Sequence, residues 1–154
     1  PERCPTGFTV LTRGYRLAAK HVLHTVGPTS IDKKALTSSY KTTLDLAAKH
    51  QLRSVALCCV STGIFGFPLR LATHIALSTV RAWLDKHPGM LDCVVFTVFA
   101  PKEEEVYQRL MPCYFPREGE ADLASGSPKP PPIPESPREY HVGGGAFGGA
   151  AAGG

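Results

Sequence analysis

Arg53-Ser54-Val55-Ala56-Leu57-Cys58-Cys59-Val60, followed at once by Ser61-Thr62-Gly63-Ile64-Phe65-Gly66-Phe67-Pro68, decides how this chain is read. The first half is a nearly continuous apolar run. It is too short for a separate helix and fits a strand buried on both faces, as in a parallel sheet. The second half is rich in turn formers. Beyond it, Leu69–His87 places Ala72, Ile75, Ala76, Val80, Trp83 and Leu84 on one stripe at helical spacing, and Pro88-Gly89 stops the helix. A strand, a tight loop and a helix therefore follow one another without a break.

The same alternation extends to both sides. Upstream, His21–Val26 is a short β-branched run ended by Gly27-Pro28, and Leu36, Tyr40, Leu44, Ala47 and Ala48 mark a helix over 36–50. Downstream, Asp92–Phe99 repeats the buried-strand pattern. Pro101–Met111 is a helix with Pro at its start and Glu103, Glu104 and Glu105 near its positive end. The order β-α-β-α-β-α over 21–111 implies an α/β fold: a mostly parallel sheet, right-handed crossovers and helices on its faces. In such folds a ligand sits beyond the carboxyl ends of strands. That points to Gly27-Pro28, to 61–68 and to the residues after Phe99.

Composition divides the chain in two. Of its 154 residues, 43% are apolar and 19% charged, as in an ordinary globular protein. Residues 117–154 hold 9 of the 15 Gly and 6 of the 14 Pro, and more acidic than basic groups. Residues 1–116 carry 14 basic and 8 acidic residues. The expectation is one basic domain over 1–116 and a flexible tail over 117–154. Pro128, Pro131 and Pro134 have the spacing of a Pro-rich ligand motif, but a plain linker is the favoured reading of them. No apolar run approaches the ~18 residues of a membrane span. No leader pattern follows Pro1, a first residue that points to a fragment. No Lys/Arg cluster with interleaved aromatics suggests specific nucleic-acid binding.

The five cysteines, Cys4, Cys58, Cys59, Cys93 and Cys113, are odd in number, and three lie in strand-like runs. They read as reduced, buried thiols of a cytoplasmic or nuclear protein. Without a C-x-x-C there is no sign of zinc, and no cysteine has an evident His partner. His24, on a strand near a ligand-facing turn, reads as a hydrogen-bonded structural residue, and His74 as surface or boundary. Glu103–Glu105 read as compensation of the helix dipole, and Asp45, Asp85 and Asp92 show no pairing suited to acid–base work. The absence of G-x-G-x-x-G after a strand argues against a nicotinamide dehydrogenase.

The loop over 61–66 carries the chemistry. Its glycines allow a sharp turn and close approach, and main-chain N–H groups near a helix N-terminus cradle anions. Hydrogen bonds to charged groups contribute roughly 1.5–3 kcal/mol each, so a few amides suffice for a diphosphate. A tight βα turn without a ligand fits the same pattern.

Several further motifs resolve that choice by resemblance. Cys4-Pro5-Thr6-Gly7, Gly14-Tyr15, Leu17, Ala19-Lys20 and His24-Thr25-Val26-Gly27-Pro28 resemble the middle of a macrodomain of the MacroD type. So do Leu52–Ala56 with Ser61–Pro68, Val98-Phe99, and Tyr114-Phe115-Pro116, in order over 3–116. The resemblance implies a three-layer α/β/α sandwich that binds ADP-ribose. It further implies hydrolysis of mono-ADP-ribose from acidic side chains of proteins and deacetylation of O-acetyl-ADP-ribose, with no cofactor or metal. It assigns the diphosphate and distal ribose to Val60, Ser61, Thr62, Gly63, Ile64, Phe65 and Gly66, and the adenine to Phe99. The family's adenine-binding Asp, Asn-rich segment and Gly-rich loop stand upstream of the matching stretch. The sequence therefore resembles the C-terminal two-thirds of the domain, a sheet incomplete at its N-terminal side, and no catalytic residue is assigned. Phe8 and Ala18 depart from the family, which has an acidic residue and Pro there. The other readings are an ADP-ribose reader without chemistry and an inactive fragment.

Overall fold

The computed structural model describes residues 4–117. The Pro-rich and Gly/Ala-rich stretches of the tail lie outside the described residues, as does the Pro-rich motif. The chain runs β1 (Thr9–Arg13), β2 (His21–Thr25), α1 (Lys33–Lys49), β3 (Ser54–Cys58), α2 (Leu69–Lys86), β4 (Cys93–Thr97) and α3 (Pro101–Tyr114). It is an α/β fold, and the three helices and three strands read from the sequence are all present.

β1 is an addition to that reading. It pairs antiparallel with β2, from Thr9 opposite Thr25 to Arg13 opposite His21. Its Thr-rich sequence TVLTR is mostly exposed and lacks the apolar run that marks the other strands. β3 and β4 pair in parallel, Ser54 opposite Cys93 and Cys58 opposite Thr97. The two pairs do not join among the described residues. β2 and β3 instead face each other across a groove lined by Val22, Leu23, Thr43, Val55 and Leu57. The parallel sheet expected through all three strands is thus realised for β3 and β4 only.

Burial on both faces is corrected too. Along β3, Val55 and Leu57 are buried whereas Ser54, Ala56 and Cys58 are exposed. Along β4, Val94 and Phe96 turn toward the core whereas Cys93, Val95 and Thr97 do not. This is the period-two alternation of a sheet covered on one side. All three helices lie together, α2 packing against both α1 and α3. The described residues therefore build two of the three layers expected. Cys58 and Cys93 fall on the open face as exposed thiols, not as buried ones.

The core forms where α1 and α2 cover β3. Leu36, Tyr40, Leu44, Val55, Leu57, Phe67, Leu71, Ile75, Val80 and Trp83 make one cluster. A smaller one joins Leu77 of α2 to Tyr107, Leu110 and Tyr114 of α3. Burying a large apolar side chain contributes roughly 1.5–3 kcal/mol, so these clusters dominate stability. Polar ties fix their register. Trp83 Nε1 donates to Asp45 Oδ1 at 2.7 Å, joining α2 to α1. His74 is fully buried, with Nδ1 2.8 Å from the Tyr114 hydroxyl. It joins α2 to α3 and is not the surface residue that its place beside the apolar stripe suggested. Burial, and next the nearby Arg70, hold its pKa below the ordinary histidine value.

α1 begins three residues earlier than its apolar spacing indicates, because Asp32 caps it by accepting from Ala35 N at 2.9 Å. Its Ser/Thr-rich flank then meets the β1–β2 hairpin through hydroxyls. Ser38 Oγ donates to Gly7 O at 2.8 Å, Ser39 Oγ to Val26 O at 3.3 Å, and the Thr43 hydroxyl lies 2.9 Å from that of Thr9.

Tyr40 reaches from α1 to the end of β3. Its hydroxyl donates to Cys58 O at 3.0 Å and accepts from Val60 N at 3.1 Å. Burial raises its pKa, so it stays a neutral phenol. Tyr40→Phe removes that hydroxyl and leaves the two main-chain groups only their bond to each other, Val60 N to Cys58 O at 3.0 Å, at a cost of about 0.5–1.5 kcal/mol per lost bond. Urea unfolding of the variant should give a midpoint lowered accordingly; an unchanged midpoint contradicts the role assigned to the hydroxyl.

Candidate functional site

The strand β3 ends at Cys58 and α2 begins at Leu69, and the loop between them is held at both ends. Val60 is its buried anchor: its side chain joins the core and its N–H is taken by Tyr40. At the far end, Phe67 N donates to Ser61 O at 2.9 Å and the Phe67 ring is buried. Gly66 N donates to Gly63 O at 2.9 Å, closing the tip. Inside this clamp the amides of Ser61, Gly63, Ile64 and Phe65 make no hydrogen bond among the described residues.

The sharp turns fall at Ser61, φ 66°, and Gly66, φ 64°. The sequence reading gave the turning role to Gly63 and Gly66; Gly63 is not left-handed. A Cβ on Gly63 would meet nothing within 4 Å, so its Cα surface faces the open mouth of the site. Ser61 takes a conformation that costs a non-glycine residue roughly 1–2 kcal/mol. Its hydroxyl is buried and lacks a hydrogen-bond partner.

Gly27, just past β2, packs against the start of this loop. A Cβ there would overlap both Ser61 Oγ and Val60 Cγ1. The sequence placed Gly27 among strand-end positions; its role as the floor beneath 60–61 needed the contact to be seen. The start of α2 adds the positive end of a helix directly after the loop, at Pro68–Leu69, with no side chain capping it.

The second wall comes after β4. The Phe99 ring is 100% exposed, which is not where a plain core residue lies. The two walls meet at Glu103. Its Oε1 accepts from Thr62 Oγ1 at 3.1 Å, and its Oε2 accepts from Phe99 N at 2.7 Å and Ala100 N at 3.2 Å. Burial works to raise its pKa, but donation from Phe99, Ala100, Thr62 and Cys59 outweighs this and holds the carboxyl below its ordinary value. Glu103 is thus ionised, with both oxygens engaged. Beside it, burial and then the Glu103 charge push the Cys59 thiol up to about 11. A thiol so protonated is a poor nucleophile.

The structure thus brings Ser61, Thr62, Gly63, Ile64, Phe65 and Gly66 into one loop, fixed at Val60, and ties that loop to Phe99 through a residue that the sequence reading assigned to the helix dipole alone. His24 stays outside, with Nε2 2.9 Å from Thr12 Oγ1 on the neighbouring strand. Among the described residues no group of three His, Cys, Asp or Glu could hold a metal ion. No described helix is long and apolar enough to cross a membrane.

Comparison with known proteins supplies an independent line. The Macro domain family model matches residues 1–76. A rat protein named ADP-ribose glycohydrolase MACROD1 is 45% identical over 121 residues, which cover 75% of this chain and 47% of the relative. Bovine ganglioside-induced differentiation-associated protein 2 is 43% identical over 120 residues, 74% of this chain and 24% of the relative. Among solved structures, the Trypanosoma brucei macrodomain in complex with ADP-ribose superposes with a TM-score of 0.69 at 45% identity, covering 70% of this chain and 47% of that one. The GDAP2 macro domain gives a TM-score of 0.71 at 42% identity, covering 74% and 59%. The chain thus spans less than half the length of these curated relatives.

The Gly27 contact yields a direct expectation. Gly27→Ala must displace Val60-Ser61 or strain the end of β2, an overpacking cost of about 1–3 kcal/mol. Thermal melting should show a clear loss, whereas Gly63→Ala, which meets only open space, should melt near the unaltered chain. Equal melting temperatures for both would refute the packing assigned to Gly27.

Proposed function

The chain belongs to the macrodomain family, and we propose that it binds ADP-ribose, with the loop of Ser61–Gly66 on the diphosphate and distal ribose and Phe99 on the adenine. The activity proposed with it is removal of mono-ADP-ribose from modified proteins, in line with relatives named ADP-ribose glycohydrolase. The partners are then free ADP-ribose and ADP-ribosylated protein. Free thiols support a reducing compartment, cytoplasm or nucleus.

One observation carries the reading. Four amides of this loop, at Ser61, Gly63, Ile64 and Phe65, are left without internal acceptors while the loop around them is clamped. Such amides, preset beside a helix N-terminus, stabilise a diphosphate without any Lys or Arg in the loop. An exposed aromatic ring contributes a further ~1–3 kcal/mol by stacking on a base. The role of these groups in hydrolysis is placement. Holding the diphosphate and adenine at two fixed points orients the distal ribose for attack by water.

A second reading, a binding module without chemistry, is favoured by Glu103. The one carboxylate at the site is ionised and has both oxygens occupied, so it is not poised as a general acid or base.

Calorimetry with ADP-ribose tests the binding site. Gly63→Glu places a bulky anion over the free amides where the fold has space for it, and should abolish binding with little change in melting temperature. Undiminished affinity refutes the loop assignment. Phe99→Ala should weaken ADP-ribose about 5- to 150-fold, the equivalent of one base stack, and ribose 5-phosphate hardly at all. Equal losses for both ligands refute the stacking role. Release of ADP-ribose from an automodified protein should accompany binding; binding without release is the outcome for the module reading.

A further inference from the structure

The walls of the site sit on different connections, one after β3 and one after β4, so something must set the distance between them. The Phe99 ring is fully exposed and cannot do so by packing. The Glu103 carboxylate touches both. Reaching back from the first turn of α3 to Ala100 N is ordinary helix capping. The bonds to Phe99 N, 2.7 Å, and to Thr62 Oγ1, 3.1 Å, are not part of a cap, and the second crosses 41 residues of sequence. The Thr62 hydroxyl also lies 3.0 Å from Cys59 O, but it has a single proton. An ionised carboxylate is the stronger acceptor, so the proton favours Glu103.

We propose that Glu103 is a positioning residue of the ADP-ribose site, a brace that presets the spacing between the amides of Gly63–Phe65 and the Phe99 ring without touching the ligand. This rests on the reading of loop and ring given above. A ligand that spans two walls binds best when they are already at the right separation. Glu103 supplies that separation from the first turn of α3, through bonds that use neither the free loop amides nor the Phe99 ring. Glu104 and Glu105, its neighbours, have no such reach; they pair with Gln108 and Arg109 along their own helix.

Calorimetry with ADP-ribose on the unaltered chain, Glu103→Ala, Thr62→Val and the double variant tests the brace. Thr62→Val leaves the helix cap intact, so it carries the test even if Glu103→Ala folds poorly. Each single change should weaken binding roughly tenfold, the loss expected for a hydrogen bond to a charged group. The double variant should lose little more than either single one, because both break the same contact. Glu103→Gln keeps an acceptor for the Phe99 amide and can donate to the Thr62 oxygen, and should restore most of the affinity. Unchanged binding by Thr62→Val, or losses that multiply in the double variant, overturns the brace and leaves Glu103 a helix cap. Failure of the unaltered chain to bind ADP-ribose overturns the site reading itself, and the brace with it.

Discussion

A single buried phenol governs where strand becomes loop. Tyr40 donates to the last carbonyl of β3 and accepts the amide of Val60, bracing the tight turn in which those two main-chain groups also bond to each other. Because Tyr40 lies on α1, the helix that precedes β3, the start of the loop is set by a different part of the chain from the loop itself. Val60 then turns into the core, Ser61 takes its left-handed conformation above Gly27, and Phe67 closes the far side. A loop fixed at both ends keeps its unpaired amides in place without a ligand to hold them.

This arrangement handles charge economically. The described lysines and arginines are exposed, and the loop itself contains no cation. What the loop offers to an anion is oriented dipoles, those of its amides and of the first turn of α2. A formal charge close by, on Glu103, has the opposite sign to what an anion needs. Both of its oxygens are engaged by donors within the protein.

What could be read from residues alone follows from how each element earns its stability. β3, β4 and α2 are held by apolar burial, and apolar burial leaves a periodic trace in the sequence. β1 is held by pairing with β2 and by hydroxyl contacts to α1, and Thr9 and Thr12 look like loop residues until the partner strand is present. Continuous apolar runs suggested burial on both faces of β3 and β4, yet Ala56 and Val95 stand in the open. Apolar composition does not report which face has a neighbour. At the site, the position of the loop between β3 and α2 was legible; the exposure of Phe99 was not, since its apolar run reads as core. The tie through Glu103 was not, because a carboxylate in a first helical turn has a sufficient local reason to be there.

The only tryptophan, Trp83, lies near the end of α2 remote from the loop. About fourteen residues separate it from Leu69, which at the helical rise is roughly 20 Å. Its indole stacks on His87 with ring centroids 4.3 Å apart while bonding to Asp45 on α1. An emission signal from this chain therefore reports the seam between the first two helices and is spatially separated from any nucleotide at the mouth. The molecule carries a built-in optical gauge of its own integrity, an indole held between an imidazole and a carboxylate.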